Sequence, residues 1–158
     1  MNTILRPAIS ADASPVADIL IETRSVFMSY APSVHSETEL RNWVREHLIP
    51  AGAVTVAERE RKVVGLVAVS HNGEHSWIDQ MYVAPSRVSQ GIGSALLAHV
   101  LRTASPTIRL HMFQANVGAR RFYERHGFQA VQFTDGQTNE ERCPDVLYER
   151  CTAPRVAG

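Results

Sequence analysis

Apolar residues return at helical spacing twice in the first third of the chain. Val16, Ile19, Leu20 and Phe27 follow Ser10-Ala11-Asp12, whose side-chain oxygens suit a helix start. Leu40, Trp43, Val44 and Leu48 follow Ser36-Glu37-Thr38-Glu39, a capping pattern, and are stopped by Pro50-Ala51-Gly52. Two amphipathic helices are predicted, preceded by a short strand at Ile4-Leu5-Arg6-Pro7. From Ala53 the pattern changes: Val54-Thr55-Val56-Ala57 and Val63-Val64-Gly65-Leu66-Val67-Ala68-Val69 are β-branched runs separated by the charged turn from Glu58 to Lys62, which predicts a hairpin. Trp77-Ile78-Asp79-Gln80-Met81-Tyr82-Val83 follows the Asn72-Gly73 turn and completes three antiparallel strands.

Leu96, Leu97, Val100 and Leu101 then form a helical stripe, opened by Gly91-Ile92-Gly93 and ended near Ser105-Pro106. That crossover helix leads to Ile108-Arg109-Leu110-His111-Met112, a strand expected to run parallel to the one at Trp77. Asn116 caps a last helix bearing Ala119, Phe122 and Tyr123, and Gly127 ends it. Stretches from Phe128 to Phe133 and from Val146 to Cys151 close the pattern as strands. The predicted order is βααβββαβαββ, an α/β chain.

Composition narrows the class. A chain of 158 residues, 44% hydrophobic and 20% charged, is long enough for one core and too short for two, so residues 1–158 are read as a single globular domain. Sixteen basic residues balance sixteen acidic ones, which leaves no field to gather nucleic acid or anionic lipid. No apolar stretch approaches a membrane span, and the opening from Met1 to Pro7 has no secretion-signal pattern, so a cytoplasmic protein is expected. Cys143 and Cys151 show no metal-binding spacing and are read as reduced thiols; no metal is expected.

The stretch most informative about chemistry is Met81-Tyr82-Val83-Ala84-Pro85-Ser86-Arg87-Val88-Ser89-Gln90-Gly91-Ile92-Gly93-Ser94: a strand, a glycine-containing loop and a helix start. Glycines admit a ligand close to the backbone, and the first amides of the helix have no partner within it, so they converge on a site suited to a phosphate. A tight turn with glycine permitting close packing explains the same residues. A P-loop is excluded because no Gly-Lys-Ser/Thr follows, and a dinucleotide fold lacks its ribose-binding acid.

This segment resembles motif A of the GNAT acetyltransferases, in which a strand precedes an Arg/Gln-x-x-Gly-x-Gly/Ala pyrophosphate loop. Asn116-Val117-Gly118-Ala119-Arg120-Arg121-Phe122-Tyr123-Glu124-Arg125-His126-Gly127-Phe128 resembles the same family's motif B, the helix beside the thioester. The resemblance runs from about residue 4 to residue 150. It implies a mixed, twisted sheet splayed between two central parallel strands, and an N-acetyltransferase that moves an acetyl group from acetyl-CoA to a primary amine by direct transfer through a ternary complex. It also implies backbone contacts to the pantetheine arm from Met81, Tyr82 and Val83, and pyrophosphate contacts from Val88, Ser89, Gln90, Gly91, Ile92, Gly93 and Ser94. Asn116 and Tyr123 would complete the cofactor site. Val88 stands where the family usually has Arg or Gln, which favours a rival reading: a non-catalytic acyl-CoA binding or sensing module.

The resemblance directs the Tyr123 hydroxyl at the departing thiolate, as general acid. His111 occupies a position from which some relatives present a carboxylate, and its imidazole suits proton removal as a general base; a packed strand histidine is the plain alternative, and Asp79, Glu74, His71 and His75 are further bases near the third strand. Asn116 serves equally as a helix cap. Phe27, Met28, Tyr30 and Trp43 could wall the acceptor cleft or be core. Asp135, Glu140, Glu141 and Asp145 could attract a cationic amine or be solvated, and Arg120, Arg121 and Arg125 could meet the 3′-phosphate or form an exposed helix face. Pairing of relatives through sheet edges suggests a homodimer.

Overall fold

The computed structural model describes residues 2–103 and 105–151; Met1, where the reading of the N-terminus begins, lies outside them. The main elements follow the predicted order. Strands β1 (Ile4–Pro7), β2 (Val54–Arg59), β3 (Lys62–Asn72), β4 (His75–Val83), β5 (Thr107–Phe113), β6 (Gln129–Phe133) and β7 (Asp145–Cys151) form one mixed sheet in the order β1-β2-β3-β4-β5-β7-β6. Helices α1 (Ala13–Phe27) and α2 (Glu37–Trp43) lie on one face; α3 (Ile92–Thr103) and α4 (Val117–Arg125) cover the other. Val16, Ile19 and Leu20 of α1 bury against Val56, Leu66 and Ala68, while Ile92, Leu96, Leu97 and Val100 of α3 bury against Val67, Ile78 and Ile108. Gly65 allows the second contact, since a Cβ there would come 3.1 Å from Ile92 Cγ2 and 3.2 Å from Leu96 Cδ1.

Local chemistry explains most boundaries, with three differences from expectation. Ser36 caps α2 as predicted: its hydroxyl accepts from the Glu39 amide, and the Glu39 carboxylate accepts from the Ser36 amide. Ser10-Ala11-Asp12, by contrast, forms a separate 3-10 turn and does not cap α1. Asp12 is buried, takes two hydrogen bonds from Arg6 at 2.8 and 3.0 Å, and accepts from the Ile9 amide; Arg6 also donates to Glu58 of β2. This clasp ties the N-terminal strand to the helix start. Phe27 and Trp43, placed on apolar stripes by spacing, are 43% and 37% exposed, because each stripe is narrower than the residues that fit its period. Residues 60 and 61 alone turn the β2–β3 hairpin, both with positive φ, so the charged stretch expected as a loop belongs mostly to strands.

Two irregularities shape the centre of the sheet. Along β3–β4, Ala68 pairs with Gln80 and Val69 with Ile78, so Asp79 is an inserted residue that interrupts the alternation of faces. Ile78 faces α3 and α4, and beyond the bulge so do Met81 and Val83, while Tyr82 faces α1. The second irregularity is the seam between the parallel strands. β4 and β5 pair only from His75↔Thr107 to Trp77↔Arg109, after which they splay apart.

Candidate active site

Beyond Trp77 the two strands bound an opening of about 490 Å³. Ile78 to Tyr82 line it from β4, Leu110 to Phe113 from β5, and Ala119 and Tyr123 from α4 together with its cap Asn116. Met81, Tyr82 and Val83 pair with β3 on one side and lack a strand partner on the other. An extended ligand lying in the gap could take up the edge that β5 leaves free.

Tyr123 is buried among Leu110, Phe128 and Val146 and packs edge-on against Phe122 and Phe128. Burial, reinforced by the neighbouring Tyr82 phenol, pushes its ionisation well above the ordinary tyrosine value, so the hydroxyl keeps its proton. Tyr82 is raised for the same first reason, and Tyr30, edge-on to Phe113 at 5.9 Å, is pushed up to about 12. Asn116 serves in two capacities: its side chain accepts from the Ala119 amide at 3.2 Å, and the residue lines the opening. His111 lines it too, exposed, its ring stacked on Trp77 at 5.5 Å. Of the other bases considered, Asp79 reaches the opening. Glu74 sits on an exposed turn, His71 bonds to Ser76, and His75 stands where the strands are still joined.

The loop before α3 divides the labour of its glycines. Ser89 and Gly91 have φ of +64° and +82°, which aims the chain into the helix, and the first turn accepts at Gly91 from the Ala95 amide. The Ile92, Gly93 and Ser94 amides therefore have no partner inside the helix. Gly93 is a packing glycine, its missing Cβ 3.4 Å from the Phe122 ring of α4. The Gln90 side chain is engaged by the neighbouring strand, its Oε1 accepting from Arg59 of β2 at 2.7 Å. Val88 is 44% exposed, without a polar group to offer. Arg120, a candidate for the 3′-phosphate, is engaged inside the fold, donating to the Tyr148 hydroxyl and the Gln114 carbonyl and lying over Phe133. Arg121 and Arg125 are exposed.

A second cavity of about 590 Å³ adjoins the first, between α1, the α2 region and β4; Arg24 and Gln80 line both. Met28 is buried against the first and Trp43 borders the second, whereas Phe27 borders neither. The loop between β6 and β7 roofs the junction. His35 contacts Glu140 at 3.1 Å and Glu39 at 3.4 Å, and those carboxylates, Glu140 first, hold the imidazolium form to higher pH. Arg24 lies 3.6 Å from Glu141. Asp145 is occupied by Thr134 and Asn139, and Asp135 caps the Gln137 amide, so both serve the loop's shape. Among the described residues, no group of side chains is arranged to hold a metal ion, and no helix is long and apolar enough to cross a membrane.

Residues 19–128 match the family described as the acetyltransferase (GNAT) family. The chain belongs to it. The peptidyl-lysine N-acetyltransferase YiaC of Escherichia coli (strain K12) is 33% identical over 88 residues, which are 56% of this chain and 58% of that protein; the chain thus spans little more than half of the curated relative it matches. The solution structure of the apo form of YjaB from Escherichia coli aligns over 94% of this chain and 97% of its own, with a TM-score of 0.76 and 22% identity. The PaiA N-acetyltransferase of Thermoplasma acidophilum, in complex with coenzyme A, aligns over 96% and 99%, with a TM-score of 0.76 and 16% identity. These structures share the GNAT fold with this chain, including its mixed sheet. Membership in the family supports acyl transfer as the chain's chemistry. Sequence reading did not single out Arg24 or Gln80, because nothing local marks a helix arginine and a strand glutamine as meeting at one junction.

Proposed function

We propose that the chain is an acetyl-CoA dependent N-acetyltransferase acting on a primary amine by direct transfer within a ternary complex. The observation that carries this reading is the opening between β4 and β5, with a protonated, buried tyrosine on one side and a half-lined cleft on the other. Acetyl-CoA, as substrate, would supply the acetyl thioester. The residues present suit it: Met81 to Val83 have an unpaired edge for a pantetheine amide, and the first amides of α3 point at one place where a pyrophosphate would sit. Tyr123 would hold a proton for the leaving thiolate, and Asn116 would border the arm. His111 would accept the amine's proton, directly or through water. Cys143 and Cys151 lie outside the opening and argue for no covalent intermediate. A peptidyl-lysine acceptor accords with the YiaC relative. A cytoplasmic location, a single domain over 1–158 and a homodimer belong to the same proposal.

Thiol release from acetyl-CoA with a panel of peptide and small-molecule amines tests this. Intersecting initial-velocity lines and no acetylated protein by intact mass are expected; parallel lines with a mass gain of one acetyl group would replace direct transfer by a covalent route. Val88, apolar where the family usually has Arg or Gln, favours the non-catalytic acyl-CoA module as the second reading. Tight CoA binding with no turnover of any amine would select it.

A further inference from the structure

We infer that Glu141 anchors the acceptor's ammonium group and that Arg24 is the resident cation displaced from it. The inference rests on the amine-acetyltransferase reading above and adds how the acceptor is recognised.

Three carboxylates line the opening: Asp79, Glu141 and Asp145. Asp145 is taken by Thr134 and Asn139, and Asp79 is exposed at the bulge. Glu141 differs from both. Its side chain is only 14% exposed, and its ion pair to Arg24, at 3.6 Å, is too long for a hydrogen bond. Among the described residues no hydrogen bond ends on its oxygens, so a carboxylate with room for about four donors holds one loose cation. An alkylammonium carries three donors on a compact charge and could satisfy those oxygens better than a guanidinium held at a distance.

The surroundings allow the exchange. Arg24 is 40% exposed and borders the outer cavity as well as the opening, so it can turn outward, toward the side lined by Glu39, Glu46 and Glu140. Glu141 keeps its place, because its loop is braced: Asn139 accepts from the Cys143 amide and donates to the Cys143 carbonyl, and Gln114 donates to the carbonyls of Thr134 and Asp145. A carboxylate on a preorganised support is what a recognition site requires. An alkylamine at neutral pH arrives almost entirely as its ammonium form, so this anchor seats it before its proton is removed. The acceptor class that fits is a chain ending in a lone primary ammonium, as a lysine side chain does, with the outer cavity taking what lies beyond.

Titration calorimetry of Nα-acetyl-lysine amide into the protein saturated with CoA, where no transfer can occur, tests the exchange. Glu141→Gln should weaken binding about ten-fold or more, whereas Arg24→Ala should tighten it by removing the competing cation. Weakening by both variants would mean that the pair only braces the loop and would overturn the inference. So would wild-type affinity in Glu141→Gln, or no binding by the wild type. Binding with the expected signs but no turnover with acetyl-CoA would instead defeat the transferase reading and leave the ammonium site standing.

Discussion

Tyr123 and His111 look into the same opening from opposite faces of the sheet. Tyr123 comes up from α4 into the core beneath Leu110, while His111, the next residue along β5, turns to the other side and stacks on Trp77. The proton donor and the proton acceptor proposed above thus stand on opposite faces of β5.

Replacing Tyr123 by Phe keeps the ring and its packing. kcat should fall by about 10²–10⁴ while the melting temperature and CoA affinity stay near wild type. Because burial raises this phenol, the wild-type rate should hold through the pH range in which an ordinary tyrosine begins to ionise and decline only above it. A folded Tyr123→Phe protein with unchanged kcat would remove the hydroxyl from the reaction.

Gly91→Asp tests the loop. With φ at +82° and nothing within 4 Å of a built Cβ, the substitution meets no clash and costs about 1–2 kcal/mol of backbone strain, partly offset by a negative charge at a helix start. The protein should remain folded, yet calorimetry should show CoA binding weakened about ten-fold or more, since a carboxylate now points where the phosphates would lie. Val88→Arg should act in the opposite direction and tighten CoA. Undiminished binding in Gly91→Asp would mean that the loop is only a turn.

The clasp of Arg6, Asp12 and Glu58 predicts a pH-dependent stability. Hydrogen bonds from Arg6, then the Ile9 amide, hold Asp12 below its ordinary 3.8, so its contribution is present in full above that value and is lost as pH falls through the lowered one. Asp12→Asn should cost about 1–3 kcal/mol at pH 7 by denaturant unfolding. The gap to wild type should close below about pH 4. A gap independent of pH would show that the carboxylate's charge is not what stabilises the clasp.

Gly136→Ala should disrupt the β6–β7 loop. At φ +84° a side chain is strained, and its Cβ would overlap the Cys143 carbonyl and stand 2.7 Å from Pro144 N. A loss of about 2 kcal/mol or more, faster proteolysis within residues 134–145 and weaker amine binding are expected together. Wild-type proteolysis would indicate that the loop has an alternative packing.

Features written into contiguous residues were legible before the structure. The Ser36 capping box, the Asn116 cap, Gly127 with its φ of +89° and the parallel crossover to β5 all follow from short-range chemistry. What escaped depends on partners distant in the chain. The bond from Arg59 to the Gln90 side chain joins positions 31 apart and has no local sign. Periodicity places Phe27 and Trp43 on the stripe but not their depth, because spacing gives direction around a helix and not the extent of what covers it. The meeting of Arg24 with Glu141 spans the chain from α1 to the β6–β7 loop and has no local signature.

The single inserted residue in β4 acts on the parity of everything after it. Were Asp79 taken into an even alternation instead of bulged out, Met81 and Val83 would turn toward the N-terminal helices, and Tyr82, which borders the opening together with Arg24, would be driven into the layer beneath α3. Straightening the strand with every residue kept is therefore an inversion: it would exchange the lining of the cleft for the filling of the core while leaving the composition of the strand untouched. Deleting Asp79, by contrast, sets Ile78 and Gln80 side by side opposite Val69 and Ala68 and leaves every later residue on its face, so it should be tolerated better than a one-residue deletion in the regular part of β4.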